Sequence, residues 1–422
     1  MTEFYTGDNP GDTPGNLPDP YFWWEAGAMF GTLIDYWALT GDDSYNAITT
    51  QAILHQATEN GDFMPPNQTR TLGNDDQGFW GMTAMSAAEN NFPDPPDDQP
   101  QWLAMAQSLF NQWASRWDEE TCGGGIRWQI FTFNNGFNYK NSISNGCFFN
   151  IAARLARYTG NQTYADWATK IFDWEETIGL ITADYAVRDG MHIDPLSQAC
   201  DSMDDNQWSY NAGIFLHGAA VMYNHTNASS LWQERVTGIL NTTTATFFPT
   251  DKNNIMFEQL CEARGSCNND QRSFKGYLTR WLAGTTQMAP YTYPTIRPLL
   301  ETDATAAATK ACVGDPQNQA VFRGKPGTAC GFQWTTGTFD GSVGVGEQMN
   351  ALSAVMYTLV DQVTPPVTAD TGGTSKGNPG AKAHDLEGPR DGEITLKERV
   401  AAGFATTAIL LGIVAGSAFV MI

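Results

Sequence analysis

Eleven stretches of apolar residues at helical spacing, most of them paired across short turns, restrict this chain to a helical architecture. The first is marked by Phe22, Trp23, Ala26, Met29, Phe30, Leu33, Ile34 and Trp37, and it stops at Gly41. A second helix is predicted over 45–58, antiparallel to the first if the Gly41-Asp42-Asp43 turn is tight. The rhythm continues at 76–89, 98–117, 142–159, 162–178, 207–224, 228–246, 270–288, 291–311 and 344–362. Residues 1–5 have the pattern of the end of one more helix, followed by a Gly/Pro/Asp loop over 7–20. Six helical hairpins closing on themselves make an all-α, (α/α)6 toroid, with inner helices apolar nearly all round and loops forming a bowl at one end. A stacked solenoid is the rival architecture, but it shows a fixed sequence period and none is found.

Two segments break the helical rhythm. Between 119 and 140, Cys122-Gly123-Gly124-Gly125-Ile126-Arg127-Trp128 and Phe131-Thr132-Phe133 predict a small β-hairpin or a long loop. Residues 312–342 are similarly Gly-rich and aromatic. Long loops of this content on a rigid scaffold commonly cover a site.

The run Gly73-Asn74-Asp75-Asp76-Gln77-Gly78-Phe79-Trp80-Gly81 puts two adjacent carboxylates where a Gly/Asn-rich loop gives way to an apolar helix. Free N–H groups and the dipole at a helix N-terminus favour an ionised Asp there. The like charge next to it raises the second carboxyl's pKa. One charged and one protonated carboxyl is the equipment of a glycosidase. Taken alone, the run is better read as an ordinary helix cap.

A formal charge of −23, from 23 Lys+Arg against 46 Asp+Glu, excludes nucleic acid and anionic membrane surfaces as partners. Aromatic residues make up 12% of the chain, a supply that suits sugar faces as well as a large core. Seven cysteines contain no Cys-x-x-Cys pair, and the five histidines have no ligand spacing, so no metal site is expected. The pairs Cys261/Cys267 and Cys312/Cys330 are spaced to close short loops in an oxidising compartment, and the odd count leaves one thiol over. Asn-x-Ser/Thr occurs at Asn67, Asn161, Asn224, Asn227 and Asn241, which permits secretion. Three regions follow: a helical domain over 1–362, a flexible Gly/Pro/Thr-rich linker over 363–399, and an uncharged apolar tail over 400–422. Small residues around 388–392, a polar spacer and the apolar end match a GPI-attachment signal, with a plain membrane span as the alternative. Either one puts the helical domain on the outer face of the plasma membrane.

Six motifs occur in order: Trp23-Trp24-Glu25-Ala26-Gly27, Asn74-Asp75-Asp76-Gln77, Gly124-Gly125-Ile126-Arg127-Trp128, Tyr139-Lys140-Asn141-Ser142, Trp208-Ser209-Tyr210-Asn211-Ala212-Gly213 and Thr338-Phe339-Asp340-Gly341-Ser342. As a set, covering roughly 1–362, they resemble glycoside hydrolase family 76 and within it the fungal GPI-anchored cell-wall mannosidases of the DFG/DCW type. The resemblance implies an (α/α)6 toroid and retaining chemistry on α-mannosides, with α-1,6-mannan the substrate of the bacterial members. For the fungal branch it implies action on the core glycan of GPI-anchored proteins, with transfer of the cut glycoprotein to cell-wall β-glucan. It assigns Asp75 as nucleophile and Asp76 as general acid/base. The family pattern also has a signal peptide and a full first helix, so most of that helix is expected to be missing here.

Around the pair, Trp80 and Trp128 are candidate stacking platforms, and Asn141, Asp189 and Asp340 are candidates for holding sugar hydroxyls. Tyr210 and Asn211 begin or line a helix beside them, and Lys140 is a candidate contact for a phosphate on the glycan. Each has a plainer reading. A Trp beside a helix is ordinarily core, Asp189-Gly190 is ordinarily a turn, and a lone Lys is ordinarily solvated. The chain is expected to act as a monomer without a cofactor, which retaining chemistry does not require. A non-catalytic glycan-binding or structural wall protein is the alternative from another class, against which the intact carboxylate pair argues. A lyase or uronide hydrolase would need basic residues in the bowl.

Overall fold

The computed structural model describes residues 1–316 and 322–382. It contains eleven α-helices: α1 (Trp23–Thr40), α2 (Asn46–Ala57), α3 (Asn74–Glu89), α4 (Trp102–Ser115), α5 (Ser142–Thr159), α6 (Gln162–Thr177), α7 (Ser209–His225), α8 (Ser230–Phe247), α9 (Phe274–Met288), α10 (Tyr293–Ala306) and α11 (Val345–Met356). Odd-numbered helices pack side by side in sequence, and α11 returns to α1, closing a ring of six. The even-numbered helices lie outside it, each against the inner helix or helices next to it in the chain. This is the (α/α)6 toroid the sequence predicts.

The inner helices are buried almost all round, α3 over nearly its whole length, whereas outer helices such as α6 bury one stripe. Their close approach depends on small residues. A Cβ at Gly27 of α1 would meet the Trp80 ring of α3, and one at Gly213 of α7 would meet Trp281 of α9. Helix ends follow local signals. Asn141 and Asn161 cap α5 and α6 through their side-chain oxygens, and Gly41 and Gly160 end α1 and α5 in the left-handed conformation.

Two findings correct the sequence reading, and one decides between its alternatives for the 119–140 stretch in favour of the long loop. Residues 119–138 form a loop, and β1 (Tyr139–Asn141) joins β2 (Gly190–Ile193) and β3 (Cys200–Asp204) in an antiparallel sheet of order β1-β2-β3. The hairpin is therefore 190–204, a stretch too short and polar to announce itself by alternation. The start of the chain is a single 3-10 turn, Thr2–Phe4, after which Tyr5 packs edge-on against Phe30. Residues 363–382 are not a free linker. Val367 N–H donates to Glu89 O (2.8 Å), and Arg157 Nη2 donates to Pro366 O (2.7 Å). Further along, Ser375 Oγ accepts Leu103 N–H (3.0 Å), Gln107 Oε1 accepts Asn378 N–H (2.6 Å), and Lys382 pairs with Asp62 (3.2 Å). The segment thus straps the toroid along α4, with backbone groups satisfied by side chains that hydropathy does not register. The rest of the expected linker and the apolar tail over 400–422 lie outside the described residues; within those residues no helix is long and apolar enough to cross a membrane.

Disulfides join Cys122–Cys200, Cys261–Cys267 and Cys312–Cys330, and Cys147 is a buried thiol. The two short-loop pairs are those the spacing allowed. The third ties the 119–138 loop to β3. At the other end of the ring, charges are internally matched: Arg154 holds Glu89 (2.6 Å), and Arg280 with Tyr357 holds Asp35 (2.6 and 2.5 Å).

Candidate active site

The N-terminal ends of α1, α3, α5, α7 and α9 and the loops before them surround a cleft of about 540 Å³. Asp75 and Asp76 lie on its floor in the first turn of α3, after Gly73 at the N-cap. This turn is fixed from three sides. Asn74 donates from its backbone to Trp128 O (2.7 Å) and from Nδ2 to Arg127 O (2.8 Å). Its Oδ1 accepts Arg116 Nη1 at 2.7 Å, and the same guanidinium reaches Gln77 Oε1 at 2.5 Å. Asp76 Oδ2 accepts Gly73 N–H (2.7 Å), while Asp75 Oδ1 accepts Asp76 N–H (3.1 Å).

Burial pushes both carboxyls up. Asp76 rises to about 7, held back by the Gly73 N–H and raised further by Asp270. Asp75 rises well above the usual range through burial and the charge of Asp76, with its own N–H, that of Asp76 and the Trp128 indole acting the other way. The pair therefore retains a proton near neutral pH and has donors ready for the ionised form of Asp75.

The absence of a side chain at position 73 gives this pair its room. A Cβ there would collide with Asp75 Oδ1 and crowd Asp76 Oδ2 and the Trp128 indole nitrogen, each at 3.3 Å. Its φ of −84° suits any residue, so Gly73→Ala should fold normally. We expect it to lose about 10²-fold in kcat through misplacement of the carboxyls, with Tm within about 2 °C of the parent. An unchanged kcat would contradict the geometry.

The structure brings Asp75, Asp76, Trp128, Asn141, Asp189 and Tyr210 to the one cleft. Asp189 accepts the Tyr139 hydroxyl (2.7 Å) and Asn211 Nδ2 (3.1 Å), so it is a fixed acceptor and more than a turn. Tyr210 stacks flat on Phe274, ring centroids 3.9 Å apart. The other sequence candidates are corrected. Trp80 is fully buried among Trp23, Phe30 and Phe63, with its indole N–H on Trp23 O, and it offers no face to a ligand. Asn211 is buried behind Asp189 and reaches the cleft only through it. Asp340 lies on a separate cavity, its carboxylate occupied by Gln333 N–H, Ser342 N–H and Ser342 Oγ. Lys140 turns inward to Asp118 O, Thr121 O and Gly124 O, burial lowering it to about 8.

Sequence reasoning missed Tyr139, Trp24, Phe274 and Asp270 as lining residues. Asp270 carried a usable signal, since Asn268-Asn269-Asp270 precedes an apolar helix much as Asn74-Asp75-Asp76 does. The lining includes four carboxylates (Asp75, Asp76, Asp189 and Asp270) and no Lys, Arg or His. That charge disfavours anionic sugars and hence the uronide reading. Among the described residues no group of His, Cys, Asp or Glu is arranged to hold a metal ion.

A closed ring of helical hairpins, with a paired carboxyl at the base of an acidic, ring-lined cleft, defines a carbohydrate-active toroid. The sequence pattern of glycosyl hydrolase family 76 matches residues 1–370, and the chain belongs to that family. The mannan endo-1,6-alpha-mannosidase DCW1 of Saccharomyces cerevisiae is 45% identical over 421 residues, 98% of this chain and 89% of the relative. The DFG5 mannan endo-1,6-alpha-mannosidase of the same yeast is 44% identical over 426 residues, covering 100% of this chain and 90% of the relative. The crystal structure of Dfg5 from Chaetomium thermophilum in complex with glucosamine is 48% identical, with a TM-score of 0.84 over 91% of this chain and 93% of that one. The α-1,6-mannanase GH76A of Salegentibacter, 16% identical at a TM-score of 0.66 over 85% of this chain and 95% of that one, shares the fold. The protein is thus a glycoside hydrolase.

Proposed function

We propose that this protein is an endo-acting, retaining α-1,6-mannosidase that also transfers the mannosyl group to sugar acceptors. The observation that carries the reading is the adjacent pair Asp75–Asp76 in the first turn of α3, open to the cleft and raised in pKa by burial. The 45% and 44% identity to mannan endo-1,6-alpha-mannosidases over nearly the whole chain supports the substrate class. Asp75 attacks the anomeric carbon from one face while Asp76 gives its proton to the leaving glycosidic oxygen, which breaks the C–O bond and leaves a mannosyl ester on Asp75. Asp76, now ionised, takes the proton of an incoming hydroxyl, whose oxygen forms the new bond to the anomeric carbon as the ester breaks. Water as acceptor gives hydrolysis, and a glucan hydroxyl gives transfer.

Within this proposal Trp128 and Tyr210 wall the sugar, Asn141 and Asp189 accept its hydroxyls, and Asn211 and Tyr139 hold Asp189 in place. The natural donor is an α-1,6-mannan or a GPI core glycan and the acceptor a cell-wall β-glucan. The enzyme works at the cell surface, tethered through its C-terminal end by a GPI anchor. Incubation with an α-1,6-mannoside and a labelled β-glucan oligomer, followed by NMR of the first-formed anomer and mass analysis, tests the reading. New α-configured reducing ends or labelled transfer products are expected. Glycan binding with neither product would favour the non-catalytic alternative.

A further inference from the structure

The second wall of the cleft holds a carboxylate whose role the catalytic pair leaves open. In the ring of inner helices, α9 stands three places from α3 in either direction and so faces it across the axis. Asp270 lies in the turn before the 3-10 segment Gln271–Ser273 that leads directly into α9, and it lines the same cleft as Asp75 and Asp76. It is partly buried, and the Trp24 indole lies within hydrogen-bonding reach of the carboxylate. Its Oδ1 is the one buried side-chain oxygen or nitrogen among the described cleft-lining residues that has no hydrogen-bond partner.

Leaving such an acceptor unsatisfied is costly, and a buried exception of this kind calls for a physical reason. The Trp24 indole of α1 is the donor near this carboxylate. Glu25 of α1, near enough to be felt electrostatically, is completely buried with both oxygens unpartnered, and burial, then Asp270 and Glu347, push its carboxyl well above the usual range. Asp270 as a residue is only partly buried and lines the cleft, so a ligand there can reach its carboxylate. With four carboxylates and no cationic side chain lining the site, a suitable ligand is uncharged or cationic and rich in donors, which describes the hydroxyl edge of a neutral sugar.

We propose that Asp270 accepts hydroxyl hydrogens from the edge of the sugar ring opposite the catalytic pair, and so holds the mannosyl unit on which Asp75 and Asp76 act. The proposal rests on the mannosidase reading above and assigns a substrate-holding residue to the wall facing the catalytic carboxyls. Its negative charge also lies where it favours the positive charge that develops on the ring in the transition state. Asp270→Ala should then weaken both ground-state binding and turnover, whereas Asp270→Asn, which keeps a carbonyl acceptor without the charge, should fall between it and the parent.

The test is calorimetric binding of α-1,6-mannotriose in an Asp75→Asn background, combined with kcat/KM on α-1,6-mannan in the otherwise unaltered enzyme. With Asp270→Ala, Kd and kcat/KM should worsen by about 10- to 100-fold, the range for a hydrogen bond to a charged group. Asp270→Asn should lose less in Kd than Asp270→Ala. It should also move the alkaline limb of the kcat/KM profile to lower pH, because Asp76, the proton donor, loses a negative neighbour that raises its pKa. A purely structural role would lower Tm and leave that limb in place. Values within twofold of the parent for both variants, with the unaltered enzyme active on mannan, overturn this inference alone. If the unaltered enzyme fails to cleave mannan and its Asp75→Asn form fails to bind mannotriose, the mannosidase reading falls and this inference with it.

Discussion

Asp75→Asn and Asp76→Asn should each lower kcat on α-1,6-mannan by at least about a thousandfold, because one group forms the covalent bond and the other moves the proton. The two losses are separable. Without Asp76, a mannosyl donor whose leaving group needs no proton, such as a fluoride, should still load Asp75, and added azide should then accept the mannosyl group. Without Asp75 no such donor should help. The fold should survive both changes: an Asn at 76 still offers an oxygen to Gly73 N–H, and an Asn at 75 keeps the oxygen that receives Asp76 N–H. Since each change removes a charge that burial disfavours, Tm at pH 8 should equal or exceed that of the parent. Full turnover by either variant would remove these residues from the chemistry.

The helical frame was legible because its determinants are local. Apolar residues at 3.6-residue spacing, Gly41 and Gly160 as stops, and Asn161 as a cap lie within the elements they define. The catalytic turn was legible for the same reason, since Gly73, Asn74, Asp75 and Asp76 are consecutive. What the sequence misplaced depends on distant partners. Trp80 follows the pair closely, yet α-helical geometry turns it into the core against Trp23 of α1. Asp340 is committed to its own loop, and Lys140 is drawn inward by three carbonyls from the loop before it. The strap over 363–382 has no apolar period and is held by side chains on α4, so composition alone predicted a linker. Asp270 shares a cleft with residues almost two hundred positions earlier, a proximity that ring closure creates.

The stability of this protein should fall as pH rises from 6 to 8, against the usual expectation for a chain with so many carboxylates. The groups responsible are buried acids whose folded pKa lies above the unfolded value. Burial carries Asp76, Glu258 and Glu347 to about 7 and Glu175 and Asp303 to about 8. Between roughly pH 4.5 and those values the folded chain binds protons that the unfolded chain has released, so the slope of unfolding free energy against pH is negative. Their stabilising contribution is complete below the unfolded pKa and fades as pH climbs through the folded one. His217 acts in the opposite sense: burial lowers it to about 3, so the unfolded state is favoured only as pH drops below about 6.5. Lys140, lowered to about 8, affects the balance only above this window. Each acid contributes about 1.4 kcal/mol per pH unit while it differs between the two states. Two such groups alone would lower Tm by roughly 6 °C between pH 6 and 8 for a domain of this size. Asp303 tests the origin of the slope away from the cleft. Its Oδ1 accepts Met256 N–H while Oδ2 has no partner, so Asp303→Asn can keep the hydrogen bond and lose the titration. Scanning calorimetry of the parent and Asp303→Asn across this range should show a falling Tm in the parent and a shallower fall in the variant. A parent Tm that is flat or rising toward pH 8 would mean that these acids are ionised inside the folded ring.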